Sequence, residues 1–209
     1  MKNRKKALAA TAAAASAALA LSAVAATSAQ AGTKDLASVL TADHNRFDKN
    51  SGDFDVATEA VLAVLDAKPD SPVGVLADGK TKLTAFVPTD KGFMRTASDL
   101  TGKKVKSEKK AFKIVAGLGI DTVETVLLYH VVPGATIPAK KAVKADGAEL
   151  DTAQGGTVEV MVSGKGRITL MDKVPDLRDP KVINKATDIN KGNRQIAHGI
   201  NRVLLPADL

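Results

Sequence analysis

The spacing of apolar residues changes once along this 209-residue chain, and that change constrains what the chain can fold into. Up to Pro133 the apolar positions recur at helical intervals. Phe54, Val61, Leu62 and Leu65 form one such stretch, and Val123, Val126 and Leu127, with His130, form another. Pro133-Gly134 is a turn, and beyond it the period becomes two. Val158, Val160 and Val162 alternate with Thr157, Glu159 and Met161; Ser163-Gly164-Lys165-Gly166 supplies turn chemistry; Ile168 and Leu170 resume the alternation. That pattern is a β-hairpin. Helices lead and strands follow, so the fold class is α+β.

The remaining segments fit between these anchors. Residues 34–41 predict a short helix with Leu36, Val39 and Leu40 on one face, and residues 43–53, with His44, read as a polar solvated loop. Pro69, Pro72, Gly74 and Gly79 break the chain into a long connection. Residues 82–87 form a strand that stops at Pro88, after which Thr89 or Asp90 caps a helix towards Leu100. Ser107-Glu108 opens a helix through Leu118 that Gly117 and Gly119 end, and Asp121 with Glu124 has capping-box spacing for the next. Further strands are expected near 182–190 and 196–205. There is no internal repeat or linker, so one domain is expected.

Charge divides the chain differently. Lys2, Arg4, Lys5 and Lys6 precede 27 uncharged residues, and Ser28-Ala29-Gln30-Ala31 supplies the small side chains of a cleavage site. Residues 1–31 therefore read as a secretory signal, with residues 32–209 as the mature domain. A retained membrane anchor fits less well, because Ala, Ser and Thr dominate the stretch. Removing the leader leaves 26 basic against 23 acidic residues, too weak a balance for nucleic acid to be the expected partner. No cysteine is present, which excludes disulfides, thiolate metal sites and a lipid-modified cysteine. One tyrosine and no tryptophan leave no stacking platform for bases or sugar rings.

Three segments together resemble the fasciclin-like (FAS1) domain family. Thr84-Ala85-Phe86-Val87-Pro88-Thr89-Asp90-Lys91-Gly92-Phe93 is similar to its first signature, Leu127-Leu128-Tyr129-His130-Val131-Val132-Pro133-Gly134 to its tyrosine-histidine motif, and Ile196 through Pro206, containing His198, to its closing signature. The match departs at Asn193-Arg194-Gln195, which carries one extra residue, and at Asn201, where the family has Asp. The resemblance, with the leader, implies a secreted bacterial member built as a β-strand wedge with helices packed around it. It further implies an extracellular, non-enzymatic role in adhesion or matrix contact. Phe86, Pro88, Thr89 and His198 take structural places in the motifs, and Tyr129, His130, Asp188 and Ile189 fall where the family's contact segments lie.

Candidate chemistry is sparse. His44, His130 and His198 lack any local metal-ligand spacing, and the later two stand in apolar stretches that favour a structural role. Ser163 sits in a hairpin turn and not on a nucleophile elbow, and neither Gly164-Lys165-Gly166 nor Gly117-x-Gly119 has phosphate-loop spacing. No cofactor pattern is present, and no metal site is expected. Lys103, Lys104, Lys106, Lys109, Lys110 and Lys113, opposed only by Glu108, form a basic run suited to anionic wall polymers or polysaccharide, or simply to solvent. Three functional readings follow. The first is a non-catalytic module that contacts an extracellular or cell-surface protein or polysaccharide, or copies of itself. The second is a carrier that holds a small molecule in a pocket, or an anionic polysaccharide on the Lys-rich face. The third is a hydrolase whose site is assembled from distant residues.

Overall fold

The computed structural model describes residues 31–42 and 47–207. The expected leader, all but Ala31, and His44 lie outside the described residues. Elements run in the order α1 (Leu36–Leu40), α2 (Asp55–Ala67), a 3₁₀ helix (Pro72–Ala77), β1 (Leu83–Pro88), α3 (Asp90–Thr101), α4 (Glu108–Ala116) and α5 (Ile120–Tyr129). There follow β2 (Val131–Pro133), α6 (Ala139–Ala142), β3 (Ala148–Asp151), β4 (Thr157–Val162), β5 (Ile168–Met171), a 3₁₀ turn (Asn184–Ala186) and β6 (Gln195–Ile200). The α+β class is borne out.

Two three-stranded sheets organise these elements. In the first, ordered β2-β1-β6, β1 runs antiparallel to β2 and parallel to β6, with Phe86 opposite His198. The second is the meander β3-β4-β5, whose β4–β5 pairing sets Val160 opposite Leu170 and Val162 opposite Ile168. Every residue of β1 and β6 is buried, because the first sheet is covered on both faces. Leu83, Ala85, Val87 and Ala197 pack into a core shared with Leu36, Val56, Val64 and Phe93 of the helices. Phe86 and Ile200 pack into a second core with Val158, Val160, Ile168 and Leu170 of the meander. The result is a layer of helices, a central sheet and an outer sheet.

Local chemistry explains the helix starts. Thr89 caps α3 by accepting the Gly92 amide at 3.2 Å, and Ser107 caps α4 by accepting that of Lys110. Gly92 also lets α3 approach β6, since a Cβ there would lie 3.1 Å from the Ile200 carbonyl oxygen. Helix α2 has no capping side chain of its own. Its Val56 amide instead donates to Asp90 Oδ1 at 2.8 Å, from the first residue of α3.

Several expectations require correction. The Asp121–Glu124 capping box does not form: Gly119, at φ 87°, starts α5 two residues before Asp121. Glu124 reaches instead to Ser71 Oγ at 2.5 Å and to Lys68. The long connection at 68–82 holds a 3₁₀ helix capped by Ser71. No continuous strand occupies 182–190. Lys181 and Val182 make single bridges to β5 and β6, and positive φ at Asp188 and Asn190 then turns the chain away from extended structure. The last strand ends at Ile200, and Pro133 closes β2 opposite Leu83 before Gly134 turns the chain at φ 79°. His130 lies at the C-terminal cap of α5 and lines the same apolar cavity as Val123, Val126 and Leu127.

Candidate functional site

The two later histidines are interior. His130 is 6 % exposed; its Nδ1–H donates to the Val126 carbonyl at 2.7 Å and its Nε2 accepts the Leu204 amide at 2.9 Å. That amide can only donate, so the neutral Nδ1–H tautomer is fixed. Burial lowers the His130 pKa to about 4. His198 Nε2–H donates to Ile137 O at 2.8 Å, and its Nδ1 accepts the Asp188 amide at 3.3 Å. Burial also lowers its pKa. All four ring nitrogens are therefore committed to main-chain partners, which leaves neither ring poised as a base or metal ligand.

Tyr129, offered by sequence as a contact residue, is 1 % exposed, and its hydroxyl donates to Thr157 O at 2.7 Å. Burial pushes the phenol up to about 12. Tyr129 and His130 therefore present no surface to a partner, because each ring fills core and spends its polar atoms on the chain itself. Phe86 and Thr89 are likewise buried, and Pro88 ends β1. Asp188 is half-buried in a corner. Its Oδ1 accepts the Ala139 amide at 2.7 Å and its Oδ2 accepts Lys191 Nζ at 3.0 Å. Burial works to raise its pKa, but these two donors together hold the carboxyl below its usual value. Ile189 bridges to Ala197 and packs against the helical core. Asp188 thus serves as a joint between α6 and β6.

The lysines are placed differently. Lys103, Lys104 and Lys106 in the α3–α4 loop and Lys109, Lys110 and Lys113 on α4 are all exposed. They form a local basic surface carried by elements other than those that hold Asp188. An apolar cavity of about 70 Å³, lined by residues including Leu36, Phe93, Val123, His130 and Leu205, lies in the helical core. It falls well short of the roughly 300–1,000 Å³ of small-molecule pockets. The core cavity therefore has no room for a carried ligand; larger, open clefts of about 530–560 Å³ lie on the surface, one of them lined by Arg178, Asp179, Lys181 and Arg202.

Sequence reading passed over one constellation. Asp48, Asp55 and Glu108 bring carboxylate oxygens within 4.8 Å of one another, as do Asp53, Asp55 and Asp90. The signal was Asp48-x-Asn50-x-x-Asp53-x-Asp55, three carboxylates and a carboxamide in eight residues, hidden by reading residues 43–53 as an undifferentiated polar loop.

Among the described residues, no helix is long and apolar enough to cross a membrane. No curated protein matches the chain. Among solved structures, the chain is similar to a FAS1 domain pair from the insect cell adhesion molecule fasciclin I, at 21 % identity and a TM-score of 0.49. That likeness covers 71 % of this chain and 46 % of that one, so the chain spans about half the length of the structure it matches. The family model described as Fasciclin domain matches residues 57–206, which include all three sequence motifs, and the chain belongs to the fasciclin domain family.

Proposed function

We propose that the mature chain, residues 32–209, is a secreted, non-catalytic interaction module. It acts in adhesion at a cell surface or in extracellular material, and it works through its exterior. The observation that carries this reading is the fasciclin domain itself, an adhesion-related module, over residues 57–206. The sequestered histidines and the small apolar cavity support it, because the ring nitrogens are spent on the main chain and the core has no room for a substrate.

The partner is an extracellular macromolecule with anionic character, and the six exposed lysines of the α3–α4 loop and α4 make the contact. A cluster of exposed ammonium groups attracts a polyanion in a salt-dependent manner and adds up over many copies on one surface. Retention of the purified chain on an immobilised anionic polysaccharide tests this directly. Binding should saturate, fall steeply as salt rises, and weaken at least about tenfold when Lys103, Lys104, Lys106, Lys109, Lys110 and Lys113 are all changed to Gln. Stability should stay within about 0.5 kcal/mol of the parent. Retention that is indifferent to salt and to the six substitutions would refute the lysine surface. A chain that binds neither polysaccharide, nor a surface fraction of the producing cells, nor itself would refute the module.

A further inference from the structure

Three helices begin on an acid, and those three beginnings converge. Asp55 is the first residue of α2, Asp90 of α3 and Glu108 of α4. The loop before α2 adds Asp48 and Asp53. The oxygens of Asp48, Asp55 and Glu108 fall within 4.8 Å of one another, and Asp55 also belongs to the adjoining group with Asp53 and Asp90. The loop is held there by several contacts. The Phe47 ring lies 5.3 Å from that of Phe112, one turn beyond Glu108 on α4. The Asp90 and Lys91 amides donate to the Asp53 and Ser51 carbonyls at 3.0 and 2.9 Å.

Gathering carboxylates in this way is unfavourable unless something compensates. Helix N-termini supply part of the compensation through their dipoles, and Asp90 spends both oxygens on the α2 amides of Asp55 and Val56. Glu108 has no such outlet. It is 5 % exposed, its Oε2 has no hydrogen-bond partner, and its carboxylate lies beside those of Asp48 and Asp55. Asp53 lies beside this group and shares a side-chain hydrogen bond with Asp90. A buried, unpartnered carboxylate oxygen costs more than an ordinary orphaned polar atom, and one set beside other carboxylates calls for a cation. Burial, reinforced by the neighbouring aspartates, raises the Glu108 pKa, which is the cost a bound cation would remove.

We infer that Asp48, Asp55 and Glu108 form a calcium site, with Asp53 beside it and Asp90 holding α2 in place behind it. The donor set is entirely oxygen, with neither imidazole nor thiolate, which suits a hard cation over zinc or copper. Carboxylates from one loop and two helix starts give a site of adjustable size. Calcium accepts that with water completing its shell, whereas magnesium requires a tight octahedron. Bound calcium would tie the loop before α2 to α4, beside the Lys surface. Asp48, Asp53 and Asp55 all precede the segment that matches the family model, so the site belongs to this chain's own loop as much as to the shared fold.

Titration calorimetry and thermal unfolding of the chelator-treated chain with CaCl₂ or MgCl₂ test the site. We expect saturable binding of one calcium with a dissociation constant of about 10⁻⁴–10⁻³ M, as in extracellular modules. At 10 mM CaCl₂ the Tm should rise by roughly 3–10 °C. Asp48→Asn, in an exposed position, should weaken binding at least about tenfold while leaving the circular dichroism unchanged. Glu108→Gln should abolish the calcium-dependent Tm shift and, without calcium, unfold at or above the parent's Tm, because it removes an unpartnered buried charge. No saturable calcium binding up to 10 mM would overturn the inference. So would magnesium binding equal to or tighter than calcium, or both variants binding calcium as the parent does.

Discussion

His130 shows how much one side chain can hold when its chemistry is spent internally. It receives the Leu204 amide and gives its proton to the Val126 carbonyl, tying the C-terminal segment to α5. His130→Leu would fill the space but leave both main-chain groups buried without partners, at a cost of about 2–3 kcal/mol near neutral pH. The same residue sets an acid limit. Unfolded, an imidazole takes a proton near 6.5; folded, this one resists down to about 4. Between those values the unfolded state binds more protons, so the contribution is intact above about pH 6.5 and is lost as the pH falls towards 4. The loss is about 3 kcal/mol for His130, and His198, also lowered by burial, acts in the same direction. Urea titrations of the parent and of His130→Leu between pH 7 and 4 check this. The parent should lose more stability than the variant, and parallel pH profiles would refute the assignment.

Among the elements, the N-terminal part is tied down by one buried side-chain amide, in addition to the main-chain bonds of Gly32 with Gly192 and Arg194. Gln195, fully buried at the start of β6, accepts the Leu36 amide at 2.8 Å through Oε1 and donates through Nε2 to the Val75 and Asp78 carbonyls, each at 2.8 Å. It thereby fixes α1 and the 3₁₀ helix to the central sheet. Gln195→Leu should cost about 3 kcal/mol. It should also speed hydrogen exchange in residues 36–40 and 73–81 before the rest of the domain opens; uniform exchange would show that the attachment lies elsewhere. Sequence reading could not find this contact, because a glutamine beside a motif carries no sign of partners more than a hundred residues away. What could be read were elements whose signal is local: the Thr89 and Ser107 caps, the 163–166 turn, and the alternating valines of β4. The alternation was visible because β4 has one exposed face. In β1 and β6 both faces are covered, so their apolar runs carried no period, and nothing local marked their parallel pairing across 112 residues. Helix α5 was misread at its start because Asp121 and Glu124 have cap spacing, whereas the left-handed Gly119 opens the helix earlier. The acidic loop went unread because its partners, Asp90 and Glu108, lie 35 residues or more beyond Asp55.

For the whole molecule, the central sheet determines how the domain comes apart. Its two faces belong to different cores, one with the helices and one with the meander β3–β5, and neither core can open without exposing that sheet. Cross-ties reinforce this: Tyr129 at the end of α5 bonds to Thr157 of β4, and residues 180–183 bond to β5 on one side and β6 on the other. The two layers should therefore unfold as one cooperative unit. The composition supplies a clean probe. Tyr129 is the only tyrosine and there is no tryptophan, so intrinsic fluorescence reports the second core, while the 222 nm circular dichroism reports mainly the helices packed on the first. The two melting curves should coincide. Leu204→Ala, which empties a fully buried position in the second core, should destabilise by about 3 kcal/mol and shift both curves equally, although most of the helical signal arises in the other layer. A tyrosine transition that moved ahead of the helical one in this variant would mean that the meander unfolds alone, and that the shared sheet does not couple the layers.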